Sequence, residues 1–165
     1  MKVQATYKGK TVEIDIPDEK LEELIKEQKK TGWERPTNDE TYWVVCDNGV
    51  EDYAWHDDDE DCYISGNCFT SEELAENIAR YQSLDRRIRR RIAEICEPVD
   101  WTDNETIKFY ICFKHPLGKF AVNNSFGNHC HGWYCDTEAH AEHIIDEFRE
   151  ELMWYFTEFK DRMDG

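Results

Sequence analysis

The sequence predicts an α+β fold in three parts, and three observations lead to this prediction. Apolar residues alternate with polar ones over residues 3–16, a period that is typical of strands. Two later stretches each place two short strand patterns before a long segment with helical apolar spacing. With 39% hydrophobic and 13% aromatic residues, the 165-residue chain has enough apolar surface for a packed core.

The first part, residues 1–36, is predicted to form a β-hairpin, a helix and a linker. The hairpin turns at Gly9, between the two alternating runs. Pro17 and Asp18 are typical of a helix start, and Gly32 marks the end of that helix. Residues 33–36 form the linker.

The second part, residues 37–100, is predicted to form a ββα-like unit. Strands over residues 42–46 and 50–55 are joined by a turn. After an acidic loop, Thr70 and Glu73 have the spacing of a capping box, which predicts the start of a long helix. We expect this helix to run to about residue 96, because Pro98 stops it.

The third part, residues 101–165, is predicted to form a second ββα-like unit. Strands over residues 109–113 and 119–122 precede one helix, which starts near Asp136 and carries apolar residues as far as Phe159. Matched residues of the two units lie 66 positions apart, which predicts an internal repeat. The matched pairs are Cys46 and Cys112, Gly66 and Gly132, Glu72 and Glu138, Ala75 and Ala141, Glu76 and Glu142, and Ile78 and Ile144.

Carboxylates dominate the charge of the chain. The 37 acidic and 20 basic residues give a net charge of −17, which favours basic partners and disfavours nucleic acid and anionic membranes. An EF-hand loop that starts at Asp57 is excluded, because Cys62 and Cys68 occupy the positions that need Gly and Glu. Two interpretations of the acidic loop remain: a solvated turn, and a row of carboxylates that binds a basic groove. The candidate partner-binding residues are Asp57, Asp58, Asp59, Glu60, Asp61, Glu72, Glu73 and Glu76.

One basic run interrupts this acidic background. It reads Arg86-Arg87-Ile88-Arg89-Arg90-Arg91 and lies in the predicted long helix. Helical spacing turns Ile88 inward and spreads the arginines over the outer faces. We expect the arginines to pair with nearby carboxylates rather than to contact phosphate, because the net charge opposes nucleic-acid binding.

Cys and His residues cluster around the start of the last helix. Cys130 and Cys135 precede the helix, and His140 and His143 are three residues apart on it. Two Cys before a helix and two His on it follow the general logic of a tetrahedral zinc site. These four residues are therefore the candidate ligands of a structural zinc ion. Another nearby His as a replacement ligand, and no metal at all, remain open alternatives.

The sequence shows no diagnostic catalytic arrangement. The phosphate-binding, dinucleotide-binding and HExxH zinc motifs are missing. Cys135 with His131 or His140 makes a Cys–His pair, but nothing supplies the third group that orients such a pair. We therefore predict a binding protein and not an enzyme.

The sequence also predicts a cytoplasmic location. The first residues lack the apolar stretch of a secretory signal, and the apolar runs are too short to span a bilayer. Seven Cys residues without an export signal are expected to be reduced.

Four short motifs of the chain form a set. They are Trp33-x-x-Pro36, Tyr42-Trp43-Val44-Val45, Gly66-Asn67-x-Phe69-Thr70 and Glu72-Glu73-x-Ala75-Glu76. Over about residues 33–155, this set resembles a widespread group of small acidic bacteriophage proteins of unknown function. Cys68, Leu74 and the Cys/His cluster depart from the pattern, which is structural and carries no chemistry.

The resemblance implies a phage origin, and with it a class of function. Small acidic phage proteins without enzymatic motifs include many anti-CRISPR inhibitors. The implied function is that of an inhibitor in the host cytoplasm. It would bind a basic, nucleic-acid-contacting surface of a CRISPR effector nuclease and block DNA or guide binding. The alternative is a zinc-stabilised structural or regulatory phage module, in which acidity serves solubility only.

Overall fold

The chain folds into small antiparallel sheets that pack against helices, so the predicted α+β class is confirmed. A computed structural model describes residues 2–7, 10–15, 17, 20, 31–103, 105–126 and 132–159. Strands β1 (Lys2–Tyr7) and β2 (Lys10–Asp15) form the N-terminal hairpin that the alternating pattern predicts. The helix predicted after this hairpin falls almost entirely outside the described residues.

The first unit begins with a second hairpin. Strands β3 (Thr41–Cys46) and β4 (Gly49–Ala54) pair antiparallel, in a register that places Val45 opposite Val50. The acidic run that follows was expected to be a loop, and this expectation is wrong. Its backbone forms a 3₁₀ turn, Asp57–Asp59, which leads directly into the short helix α1 (Glu60–Ile64).

The long helix α2 (Glu72–Ile95) ends where the sequence predicts, but its capping residue differs from the predicted one. Its N-cap is Ser71, whose Oγ accepts a hydrogen bond from the backbone N–H of Leu74 at 3.3 Å. The predicted capping box of Thr70 and Glu73 is therefore wrong. The Thr70 hydroxyl is directed toward the linker, where it donates to Glu34 Oε2 at 2.9 Å.

The second unit has a three-stranded sheet. Strands β5 (Lys108–Lys114), β6 (Lys119–Ser125) and β7 (Tyr134–Cys135) lie in the order β6-β5-β7, all antiparallel. Helices α3 (Glu138–Glu147) and α4 (Arg149–Thr157) follow.

The single final helix predicted from the sequence is interrupted at Phe148. This residue leaves helical geometry, with φ −110° and ψ 22°, and its ring is buried. Beyond the interruption, Leu152 and Trp154 are both buried, although Trp154 lies off the apolar stripe of a continuous helix. The interruption at Phe148 is thus accompanied by burial of an aromatic ring outside the predicted stripe.

The predicted internal repeat stays a prediction, although some features recur at the offset of 66 residues. The bridge between Trp43 and Phe69 in the first unit corresponds to the strand pair of Phe109 and Cys135 in the second. The helix N-cap Ser71 likewise corresponds to Thr137. The strand after each turn and the second half of each helix differ between the two units.

Two hydrophobic clusters stabilise the fold. The larger one joins the second half of α2, through Leu84 and Ile88, to the sheet and helices of the second unit. The smaller one contains Tyr42, Trp55 and Cys68 of the first unit. Among the described residues, none of the helices combines the length and the apolar character that a bilayer span needs.

Candidate functional site

Three potential metal ligands converge where α2 ends and α3 begins. Cys96 is the C-cap residue of α2, Asp136 directly precedes the N-cap of α3, and His140 lies in the first turn of α3. One ligand atom of each residue, the Cys sulfur, a carboxylate oxygen and an imidazole nitrogen, lies within 4.8 Å of the other two. Among the residues that the structure describes, this is the only such group of three or more Cys, His, Asp or Glu side chains.

Asp136 is the centre of this group. Its Oδ1 lies 2.6 Å from His140 Nδ1, and its Oδ2 accepts a hydrogen bond from the backbone N–H of Glu97 at 3.1 Å. Partial burial raises the pKa of Asp136, but the hydrogen bonds from His140, Glu97 and the Cys96 thiol outweigh burial and lower the pKa to about 2. The carboxylate is therefore ionised at every physiological pH.

A second thiol lies next to this group. Cys135 is fully buried, and its thiol neighbours the sulfur of Cys96. Burial is the main cause that raises the pKa of both thiols, so both are protonated at neutral pH unless a cation replaces the proton. The backbone N–H of Asp136, close to the Cys96 sulfur, acts in the opposite direction and partly offsets the rise in the pKa of Cys96.

The structure brings together only part of the zinc site predicted from the sequence. His140 belongs to the group of three, whereas Cys135 lies beside it, next to Cys96. His143 does not belong to the group: its Nε2 contacts Arg91 Nη2 at 3.1 Å and lies 3.5 Å from Glu147 Oε2. Cys130 lies outside the described residues.

Sequence reasoning missed Cys96 and Asp136. Cys96 lies 40 positions before Asp136, and only the fold brings the end of α2 to the start of α3. Asp136 could have been found, because it lies four residues before His140 at a helix start, where side chains four apart are neighbours.

Comparisons with known proteins identify no relative of this chain. No family model, curated protein or solved structure matches the chain. The candidate sites therefore rest on their own geometry and charge.

The negative charge is concentrated in one region of the chain. Residues 31–76, here called the acidic region, contain fourteen acidic residues and one basic residue, Arg35. Their net charge of −13 is most of the −17 carried by the whole chain. The region comprises the β3–β4 hairpin, the 3₁₀ turn, α1 and the first turn of α2. The remainder of the chain is close to balanced.

Four of the eight predicted partner-binding carboxylates are available to a partner. Asp58, Asp61, Glu72 and Glu76 are exposed, and no hydrogen bond or ion pair with another described residue engages them. We call these four residues the free carboxylates.

Three of the other predicted partner-binding residues have partners within the chain. Glu60 pairs with Arg35, which donates from Nε at 3.0 Å and also from Nη2. Asp59 Oδ2 accepts the backbone N–H of His56 at 2.8 Å. Glu73 is exposed and also has a partner within the chain. The side chain of Asp57 is not among those described.

Three of the five arginines in the basic run, Arg87, Arg89 and Arg91, are paired with carboxylates, which confirms the prediction for these three. Arg87 donates to Glu151 at 2.9 Å and Arg91 to Glu147 at 2.8 Å, so both link α2 to the last two helices. Arg89 donates to Asp85 at 2.7 Å within α2. These pairs leave the acidic region as the main source of unbalanced charge.

Proposed function

We propose that the protein is an acidic binding protein that occupies a basic, nucleic-acid-contacting surface of another protein. The observation that supports this function is the concentration of charge: residues 31–76 hold a net charge of −13, against −17 for the whole chain. Charge concentrated in this way attracts a cationic surface more strongly than the same charge spread evenly. The free carboxylates are the proposed contact residues.

The proposed mechanism is occupancy and not catalysis. Carboxylates carried on the 3₁₀ turn, on α1 and at the start of α2 take the place of phosphates in an Arg- and Lys-lined groove. Counterions released from both surfaces favour the complex, so binding weakens as salt increases. A nucleic acid that needs the same groove is then excluded.

A CRISPR effector nuclease is the proposed partner, and the host bacterial cytoplasm is the proposed location. The resemblance to small acidic phage proteins supports both proposals. Such a nuclease has a positively charged channel that holds a nucleic-acid duplex, which is the kind of surface that the acidic region fits.

A comparative pull-down from a bacterial lysate tests this function. The baits are the unchanged protein, a variant that neutralises the free carboxylates (Asp58→Asn, Asp61→Asn, Glu72→Gln and Glu76→Gln) and a matched control variant. The control neutralises four exposed carboxylates outside the acidic region: Glu105, Glu142, Glu150 and Glu158, each to Gln. Mass spectrometry should identify a basic nucleic-acid-binding protein with the unchanged and control baits, and much less of it with the first variant. Equal recovery by all three baits contradicts the proposal.

The convergence of Cys96, Asp136 and His140 favours a second candidate function. In this alternative the protein is a zinc-stabilised structural or regulatory module of the phage, and its acidity maintains solubility only. Thiolate, imidazole and carboxylate are the ligands that zinc prefers. Recovery of virion proteins in the pull-down, together with zinc in the purified protein, favours this alternative.

A further inference from the structure

We propose that Cys96, Cys135, Asp136 and His140 bind one zinc ion. This inference deepens the zinc-stabilised alternative above and does not depend on whether the acidic region binds a partner. It replaces two of the ligands expected from the sequence, Cys130 and His143, with Cys96 and Asp136. The first argument is distance: ligand atoms of three of these residues already lie within 4.8 Å of one another. Ligands about 2.0–2.3 Å from a tetrahedral zinc ion lie a little under 4 Å apart, so only small side-chain movements are needed.

We assign Cys135 as the fourth ligand. Its buried thiol neighbours the Cys96 sulfur, and Cys135 directly precedes Asp136 in the chain. Its sulfur is outside the group of three that lies within 4.8 Å, so the Cys135 side chain has to turn toward the ion when the ion binds. Two thiols, one imidazole and one carboxylate complete a tetrahedral set of the kind that zinc accepts. Because all four positions are filled by the protein, such a site is structural and leaves no open position for a substrate.

Hydrogen bonds hold Asp136 in place before an ion arrives. The backbone N–H of Glu97 donates to Asp136 Oδ2 at 3.1 Å, and the backbone N–H of Asp136 is close to the Cys96 sulfur. Such contacts to ligand atoms orient them and favour their ionised forms. The ion displaces the thiol protons and takes the place of the bond between His140 Nδ1 and Asp136 Oδ1.

The ion has a route to the site. Cys96 lines a surface groove together with Trp101, Trp133 and Tyr134, so one ligand faces a space open to solvent. The side chain of His140 is 37% exposed, while Cys135 is fully buried behind it. The site therefore has an open side and a buried side, as an ion needs in order to enter and then be held.

The proposed ion connects the two units of the protein. Cys96 ends the long helix of the first unit, whereas Asp136 and His140 begin the first helix after the second sheet. Metal binding to the folded state alone stabilises that state by mass action. The unfolding temperature is therefore expected to rise when zinc is added to metal-free protein.

Cobalt binding tests the ligand assignment. Metal-free protein is titrated with Co²⁺, and absorption spectra report the thiolate charge-transfer band and the intense visible bands of a tetrahedral ion. Elemental analysis of the zinc-loaded protein gives the stoichiometry, and we expect one ion per chain. In Cys96→Ser, Cys135→Ser and His140→Asn, binding should weaken by about 100-fold or more, because removing a mere outer-shell partner already costs 10–100-fold.

The matched controls are Cys130→Ser and His143→Gln, which alter the two sequence-predicted ligands that the proposed set leaves out. Both should bind Co²⁺ with unchanged affinity and an unchanged spectrum. Circular dichroism of each metal-free variant shows whether it folds. If Cys135→Ser does not fold, the assignment is tested with Cys96→Ser and His140→Asn. These two positions are half-buried and partly exposed, so both variants are expected to fold.

Several results overturn the assignment. They are the failure of folded, unchanged protein to bind Co²⁺, full binding by Cys96→Ser or His140→Asn, and loss of binding in either control variant. None of these results affects the interpretation of the pull-down. The metal site and the partner-binding function can therefore be disproved separately.

Discussion

Glu34 shows how one carboxylate can hold a linker against a helix. Its Oε2 accepts hydrogen bonds from the backbone N–H of Gly32 and from the Thr70 hydroxyl, both at 2.9 Å, and its Oε1 accepts from Thr31. These bonds, first of all the one from the backbone N–H of Thr31, lower the pKa of Glu34 from 4.5 to about 2. The segment predicted to be a linker is therefore fastened to the start of α2.

Replacing Glu34 should change how stability depends on pH. The pKa of Glu34 is lower in the folded state than in the unfolded state, so its ionised carboxylate stabilises the fold fully above about pH 4.5. This stabilisation is lost as the pH falls toward 2. We expect Glu34→Gln to lower the free energy of unfolding by about 1–2 kcal/mol at pH 7. Urea unfolding at several pH values should show the difference from the unchanged protein shrinking between pH 4.5 and 2. Glu142→Gln is the exposed control, and a difference that is the same at every pH contradicts the role of ionisation.

Lys108 is the one charged residue among those described that is completely buried. Its Nζ donates to the backbone oxygens of Asp103 and Thr106, at 2.7 and 3.2 Å, and lies 5.8 Å from the ring centre of Trp101. A buried ammonium group is tolerated only when such partners replace water. Lys108 therefore anchors the turn that precedes β5.

Replacing Lys108 with Met should destabilise the protein while keeping most of the apolar volume. Two backbone oxygens lose their donor, so we expect the free energy of unfolding to fall by about 2 kcal/mol. Lys114→Met, at an exposed position on the same strand, should have an effect within about 0.5 kcal/mol of zero. Chemical unfolding gives the free energy of unfolding of both variants. Equal losses in the two variants would show that the buried contacts of Lys108 do not stabilise the fold.

At the scale of elements, Ser71 determines where α2 begins. Its hydroxyl is the side-chain acceptor that caps the helix, and the corresponding residue of α3 is Thr137, which accepts from His140 N–H at 3.2 Å. We expect Ser71→Ala to lower the free energy of unfolding by about 1 kcal/mol, and Ser71→Asp, which keeps an acceptor at the cap, to change it much less. Thermal unfolding compares the two variants. A loss of equal size in both means that the hydroxyl does not cap the helix.

The strands and the long helix could be predicted because apolar periodicity is a local property. The hairpins, the extent of α2 and the class of fold follow from it. Contacts between distant residues could not be predicted in the same way. Thr70 matched a capping pattern, but its hydroxyl donates a hydrogen bond to Glu34, which lies 36 positions away in the chain. Phe148 matched a continuous helix, but its backbone leaves helical geometry while its ring and that of Trp154 are buried.

The same distinction applies to the candidate metal site. Cys135 and His140 are close in sequence, so their combination could be inferred from spacing. Cys96 belongs to another unit, and it reaches them only because Leu84 and Ile88 of α2 pack into the core of the second unit. A ligand set that spans two units needs the tertiary fold.

At the scale of the whole molecule, the distribution of charge matters more than its total. Arg87 and Arg91 of α2 neutralise carboxylates on α4 and α3, whereas the acidic region has only Arg35. The result is a molecule with one strongly negative part and one nearly neutral part. Such a molecule is oriented by the field of a basic partner as it approaches, which increases the rate of association.

The most direct test is the salt dependence of binding to the nuclease recovered in the pull-down. The affinities of the unchanged protein, the free-carboxylate variant and the matched control variant are measured by calorimetry over a series of NaCl concentrations. The unchanged and control proteins should share a steep negative slope of log affinity against log salt. The free-carboxylate variant should bind more weakly, with a slope shallower by about one for each carboxylate that contacts the partner. The same affinity and slope for all three proteins would contradict the account.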